Sequence, residues 1–431
     1  MENKTENRVV FWIQMICLSI GTGIIYDLPY ISTMFYEPLQ KAYGLTNAQI
    51  GALLSTYGVV SFISYFFGGG LADRFSTKKL MVISLIMTGL GGLYFSTIPS
   101  YTMLIGVHIW WGVFTSLTYN AAVIKARRLL ASSSDQGKAF GFGEAIAGLC
   151  TALFATLAVK VFTMFGSDFK GLSAATLFYV TICFVAGILT LIFVKDSAAS
   201  DSGPAPAEAA KKPNILGLYV QTLKLPAVWL LALICMGYYM AYRVPSSYIS
   251  PYASHLYGVP MALAALLNAM KNWIKMGSGA VAGFISDKIG VSNTVLIGCV
   301  LGVVSCLVFT FIPGNPGLVP MLIVNTALMF LGMQAVNCIV FALMEEGKIP
   351  VHITGTAIGI ISVLGFGLPE IINPIIGGYI LDKYPAANAY QYLFAFAAIC
   401  MAVALVSALL FRKNYVVKRA VIKQTAEPDL Q

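Results

Sequence analysis

The chain has 431 residues, 58% of them hydrophobic and only 10% charged, with a net charge of +9. A soluble domain carries about 25% charged residues, so a water-soluble globular fold is excluded and a chain that lives in a bilayer is indicated. Eight cysteines without metal-ligand spacing and three histidines in separate segments (His108, His255, His352) leave no metal cluster and no nucleophile–base pair on which to found an enzyme.

Apolar runs of spanning length follow one another from the N-terminus, at roughly 9–32, 47–71, 80–98, 101–124, 138–163 and 172–194, and again at 226–250, 260–285, 291–312, 317–343, 353–380 and 389–411. The first is too long for a signal-peptide core and lacks a small-residue cleavage site, so it counts as a span. Between the sixth and seventh, residues 195–225 are rich in Ala, Ser and Pro and read as a flexible linker. Its end, Ile215 to Lys224, has apolar residues at helical spacing suited to a membrane surface. This divides the chain into an N-terminal six-helix bundle (1–194), the linker (195–225), a C-terminal six-helix bundle (226–411) and a tail (412–431). Twenty Lys and Arg fall on the side of the termini and three (Lys41, Lys170, Lys383) on the other, which predicts cytoplasmic termini. The positive charge is thus a topology signal and requires no nucleic acid.

The two halves repeat. Tyr26-Asp27-Leu28-Pro29 returns as Tyr242-Arg243-Val244-Pro245, Gly69-Gly70-Leu71-Ala72-Asp73-Arg74 as Gly283-Phe284-Ile285-Ser286-Asp287-Lys288, and Gly137-Lys138-Ala139-Phe140-Gly141 as Gly355-Thr356-Ala357-Ile358-Gly359. Two parallel half-repeats in a membrane protein are a transporter architecture with the binding site between them.

The loop Gly70-Leu71-Ala72-Asp73-Arg74-Phe75-Ser76-Thr77-Lys78-Lys79-Leu80 resembles the signature after span two of the major facilitator superfamily, with Ser76 and Thr77 where that family usually has glycine and arginine. The resemblance covers the whole membrane part and extends to little-characterised bacterial permeases and the organic-anion branch. His108-Ile109-Trp110-Trp111-Gly112 in span four, and the absence from span five of the glycine-proline pattern of drug antiporters, argue against drug efflux. The resemblance implies an all-α fold of twelve transmembrane helices and alternating access, with Asp73, Arg74 and Asp287 as gating residues. A solvated turn carboxylate is the alternative reading of each aspartate, and it weighs more for Asp287 than for Asp73.

Charges inside the membrane are costly and need a partner or a function. They are Asp27, Glu144, Lys160, Arg243, Lys271, Lys275 and Glu370. Lys160 can snorkel from the end of its span, and Glu144 is placed for an ion pair with the Arg127-Arg128 loop or for coupling. Asp27 and Arg243 occupy equivalent depths, each two residues before a proline expected to kink its helix. A static salt bridge, a gating bridge, and separate substrate and proton sites are three readings of that relationship. In span eight Asn268, Asn272, Lys275 and Gly279 fall within about 40° of one another, with Lys271 beside them, lining either water or a neighbouring helix. Tyr26 and Tyr30 in span one, Tyr239 and Tyr242 in span seven, and Gln334 in span ten complete the candidate binding surface, although a tyrosine stripe can equally be packing.

Three C-terminal cations against one acid suggest a small hydrophilic organic anion: a sugar acid, dicarboxylate, sulfonate or phosphate ester. Asp27, Glu370 and His108 are candidates for proton or cation coupling, as in symport. A neutral sugar or nucleoside is the alternative if the cations are consumed by Asp27 and Glu370. A nutrient receptor would need an output domain that the sequence lacks. The expected protein is a monomeric, cofactor-free transporter of a bacterial inner membrane.

Overall fold

A computed structural model describes residues 2–130, 136–166, 168–195, 215–312, 314–350 and 353–417. The linker between 196 and 214, the tail from 418 and His352 lie outside them. Twelve helices occupy the twelve expected positions, and the described residues contain no strand. They are α1 (Glu2–Ile24), α2 (Asn47–Arg74), α3 (Thr77–Phe95), α4 (Tyr101–Gly112), α5 (Gln136–Met164) and α6 (Phe169–Phe193). After the linker come α7 (Pro226–Tyr257), α8 (Met261–Ile289), α9 (Val291–Phe311), α10 (Val319–Ile339), α11 (Leu368–Lys383) and α12 (Ala386–Phe411).

By length and hydropathy alone, eight segments of the described residues suffice to cross a membrane. α8 is not among them because Asn268, Lys271, Asn272 and Lys275 dilute its apolar run. α1 is shortened because regular helix stops at Ile24 and residues 25–30 form turns before a short helix, Ile31–Met34. Pro29 has no N–H to give Ile25, so the expected kink is a break here. α7 instead runs as one helix of 32 residues through both Pro245 and Pro251, packed along α12.

Within the first group α1 packs on α5 and α6, and α3 on α6; within the second α7 and α9 pack on α12, and α8 and α9 on α10. The groups meet along α2 with α11 and α5 with α8. Outward positions stay apolar and exposed, as with Ile188 and Ile192 on α6 and Ile399 and Val406 on α12, which suits acyl-chain solvent. The cysteines among the described residues are free, and Cys183, Cys235, Cys299 and Cys306 are buried as packing residues.

Among the described residues three helices are locally widened, one of them past α12 at Arg412–Val417. Val113–Asn120 after α4 and Val363–Gly367 before α11 are π-helical, a rare conformation concentrated at functional sites. Both border the central cavity through Asn120, Val363 and Phe366.

Candidate functional site

A cavity of about 1010 Å³ lies between the two groups of helices. At its apex are Tyr26, Tyr30 and Tyr57 from the first group and Tyr239 and Glu370 from the second. From there it extends past Ser61, Asn120 and Ser362 to Tyr219 and Trp229, near the face that carries both ends of the helical array. We call this the terminal face and the opposite one the hairpin face. Tyr219 lies on a short helix, Ile215–Leu223, whose end is fixed by a hydrogen bond from Trp229 Nε1 to the Leu223 carbonyl (2.8 Å).

The apex is organised by one carboxylate. Glu370 stands on α11, which continues the π-helical turn Val363–Gly367 without a break in helical backbone. The Tyr239 hydroxyl donates to its Oε1 at 2.5 Å and the Tyr30 hydroxyl to its Oε2 at 3.2 Å. Arg243 Nη2 stands 3.2 Å from the same Oε2, close enough for an ion pair but not aligned as a hydrogen bond. The guanidinium also lies 4.9 Å from the centre of the Tyr30 ring. Arg243 is buried, whereas Glu370 reaches the cavity. A ligand entering from the terminal face therefore meets Glu370 before it meets Arg243.

Asp27 makes no ion pair with Arg243 among the described residues, and its Oδ2 is buried without a hydrogen-bond partner. The cation whose field acts on Asp27 is Lys271. Lys271 itself feels Arg243, Asp27 and Glu370, so two cations and two anions share one region. The three-against-one charge count expected from the C-terminal half becomes two basic and two acidic groups once the first group contributes Asp27 and the exposed Lys275 is left out.

The remaining polar residues of the second group mostly tie helices together. Asn268 Nδ2 and Lys271 Nζ both donate to the Ser246 carbonyl (2.8 and 3.2 Å). Tyr238, Asn337, Gln334 and Tyr242 form a chain of hydrogen bonds of 2.7, 3.1 and 3.3 Å. Asn272 is half-buried and Lys275 exposed, and neither lines the central cavity. His108 is buried on the far side of α4, its Nδ1 2.8 Å from the Leu104 carbonyl and its ring against Trp111, away from the other coupling candidates. Glu144 forms an ion pair with Arg127, which also donates to Thr22 at 3.1 Å. Asp73 and Arg74 end α2 and Asp287 lies in the last turn of α8; Arg74 and Asp287 are exposed, and the Asp73 side chain is outside the described residues.

Tyr57, Ser61, Phe62 and Asn120 line the cavity without having stood out in the sequence. Tyr57 packs edge-on to Tyr30 and bonds Thr115 at 2.9 Å, while Ser116 donates to Ser61 at 2.8 Å. Their signal was available: Tyr57, Ser61 and Ser64 repeat at helical spacing inside an apolar run.

The hairpin face is closed. Ser250 donates to the Met34 carbonyl at 3.2 Å, His255 Nε2 stands 3.1 Å from Glu37 Oε1, and the rings of Tyr36 and Tyr248 meet edge to face. α2 and α11 touch backbone to backbone, because Gly51 lies against the Pro374 carbonyl and Gly378 against the Asn47 carbonyl, where no side chain would fit.

A sealed face, a central polar apex and a cavity reaching the other face form the geometry of an alternating-access carrier. The family model described as Major Facilitator Superfamily matches residues 11–368. The chain belongs to the major facilitator superfamily. It is 30% identical over 421 residues to the inner membrane protein YqcE of Escherichia coli, covering 96% of this chain and 97% of that one. A second relative, named "Probable sulfoacetate transporter SauU" of Cupriavidus necator, is 22% identical over 383 residues, covering 84% and 86%. Among solved structures, a bacterial homologue of the human lysosomal transporter Spinster, inward-facing and unoccupied, superposes with a TM-score of 0.74 at 12% identity, covering 95% of this chain and 98% of that one. The protein is thus a multi-pass membrane transporter of small molecules, built on the twelve-helix fold.

Proposed function

We propose that this transporter is a symporter that carries a small hydrophilic organic anion together with a proton. The observation behind this reading is that Glu370, the cavity-facing carboxylate, occupies the buried Arg243 in an ion pair. A paired, buried guanidinium cannot accept a further negative charge cheaply. It can accept one if the anion takes the guanidinium and the displaced Glu370 takes a proton. The exchange leaves net charge unchanged for a monoanion, and a planar guanidinium suits carboxylate, sulfonate or phosphate oxygens. Tyr30 and Tyr239, released from Glu370, would then donate to the ligand. The similarity to a relative named for sulfoacetate transport is in keeping with an anionic substrate. The halves would rock about this apex between the closed hairpin face and a closed terminal face, with the termini in the cytoplasm of a bacterial inner membrane, as the charge bias and the similarity to an inner membrane protein support.

A second reading has its own observation. Among the described lining residues Glu370 is the only charged one, and the rest are aromatic, hydroxyl or small. Such a wall also suits a neutral sugar or nucleoside, with Arg243 and Glu370 left paired throughout.

Counterflow into liposomes with labelled sugar acids, dicarboxylates, sulfonates and neutral sugars separates the two. Uptake of an acid that Arg243→Gln abolishes in folded protein supports the anion reading. Uptake of neutral solutes alone, or an acid signal that Arg243→Gln leaves unchanged, overturns it.

A further inference from the structure

On the hairpin face a carboxylate from the second group of helices closes on the start of a helix from the first. Asp382 Oδ1 accepts the backbone N–H of Asn47 at 2.9 Å and the Asn47 side-chain Nδ2 at 2.8 Å, and its Oδ2 accepts the backbone N–H of Ala48 at 2.7 Å. Asn47 and Ala48 are the first two residues of α2. A helix start leaves its first N–H groups without helical partners and carries partial positive charge. Thr46 and Gln49 form a capping box that satisfies the N–H of Gln49, and Asp382 takes the two that this cap cannot reach.

The arrangement is built on both sides. The Tyr36 hydroxyl and Gln40 Nε2 donate to Asn47 Oδ1 at 2.8 and 3.1 Å, which turns the amide nitrogen toward Asp382. Gly378, one turn before Asp382, lies against the Asn47 carbonyl, so α11 is seated on the start of α2 when the bonds form. The neighbouring Lys383 is engaged with the Tyr379 hydroxyl at 2.8 Å. Asp382 and its partners are remote from the central cavity lining.

We infer that Asp382 is the latch of the hairpin-face gate, a positioning residue whose three bonds form when that face closes and break in each cycle when it opens. Its place at the exposed rim suits a catch that must release. Water can replace each lost bond there, so the latch biases the equilibrium without freezing it.

The test is the distance between nitroxide labels on Ser100→Cys and Asn388→Cys, across the hairpin face, in liposomes, with the exposed Cys338 replaced by Ser. Asp382→Ala and Asp382→Asn should raise the ratio of open to closed populations roughly three- to tenfold. Asp382→Glu should recover part of the closed population. Asn47→Pro approaches the latch from the other side: proline suits the first position of a helix but removes both donors of that residue. It should open the face in the same direction but less than Asp382→Ala does, because the Ala48 bond remains, and the double variant should open it no further than Asp382→Ala alone. A residue that merely stabilised the fold would lower the melting temperature and leave the population ratio unmoved. An unchanged distance distribution in Asp382→Ala, or fully additive effects in the double variant, overturns the inference. Should Asp382→Ala fail to fold, Asn47→Pro decides by the same ratio.

Discussion

Arg243 on α7 and Glu370 on α11 are paired at 3.2 Å within one group of helices, and the hydroxyl that reaches their pair from the other group belongs to Tyr30. The ion pair can therefore persist while the groups rock, whereas the Tyr30 bond crosses the moving interface. Removing one partner should cost more than removing both. Arg243→Gln strands a mostly buried carboxylate and should lower stability by about 2–3 kcal/mol. The double variant with Glu370→Gln should recover most of that loss while remaining inactive in uptake. Thermal unfolding in detergent checks the first outcome and liposome uptake the second; a double variant less stable than Arg243→Gln would refute the pairing energetics.

Glu370→Gln should separate binding from coupling. The amide keeps one acceptor oxygen, which serves Tyr239 or Tyr30 but not both, and it cannot carry a proton out of the exchange. Counterflow of substrate should persist, while accumulation driven by an imposed pH gradient should fall to the level of passive equilibration. Full pH-driven accumulation in this variant would remove Glu370 from the coupling path.

The apolar runs gave away the twelve helices because a bilayer demands long unbroken stretches, and a few interruptions could not hide them. Pairing was less legible. The repeat set Asp27 opposite Arg243, yet the arginine's partner is Glu370, 127 positions on in sequence, because α7 packs beside α11. Which helices become neighbours is a tertiary fact that an offset between repeats does not encode. The π-helical turns before Ala121 and Leu368 were invisible for a different reason, since one wider turn leaves hydropathy unchanged. Nothing in the sequence singles out Asp382, because its partner Asn47 lies 335 residues away.

Arg127 and Glu144 should respond unequally to mutation. The Arg127 side chain is 2% exposed and that of Glu144 62%. Glu144→Ala leaves a buried guanidinium with Thr22 as its remaining described partner and should cost about 2–3 kcal/mol. Arg127→Met fills similar volume, returns Glu144 to solvent, and should cost under about 1.5 kcal/mol. The melting temperatures of the two variants give the comparison, and the reverse order would show that the pair is not anchored by the buried cation.

Glu37 gives the hairpin face an acid limit. Burial pushes its carboxyl up from the ordinary 4.5, but contacts with His255 and Ser254 and the charge of Lys41 outweigh that and hold it at about 2. A depressed carboxyl contributes stability that is complete above its unfolded value and is lost as pH falls toward the folded one. The contribution should thus be constant above about pH 4.5 and fade between there and pH 2. Melting temperatures of the native chain and Glu37→Gln, followed from pH 7 to pH 3, should converge in acid. A gap that stays constant across that range would show the ties to be absent.

The contact of α2 with α11 makes the strongest steric prediction. At Gly51 and Gly378 the two backbones are in direct contact, and a methyl group at either would overlap a carbonyl of the opposite helix rather than the end of a movable side chain. Backbone cannot yield by a rotamer change, so the helices must separate and the closed hairpin face must weaken. Gly51→Ala and Gly378→Ala should therefore favour the state open to the hairpin face and slow turnover by roughly tenfold, a shift of about 1.4 kcal/mol. Gly44, whose left-handed turn (φ 61°) has open space around it, serves as a control: alanine there strains the loop without touching α11. Label distances across the hairpin face should lengthen in the first two variants and not in Gly44→Ala. Equal lengthening in all three would mean that the close approach is not what seals the face.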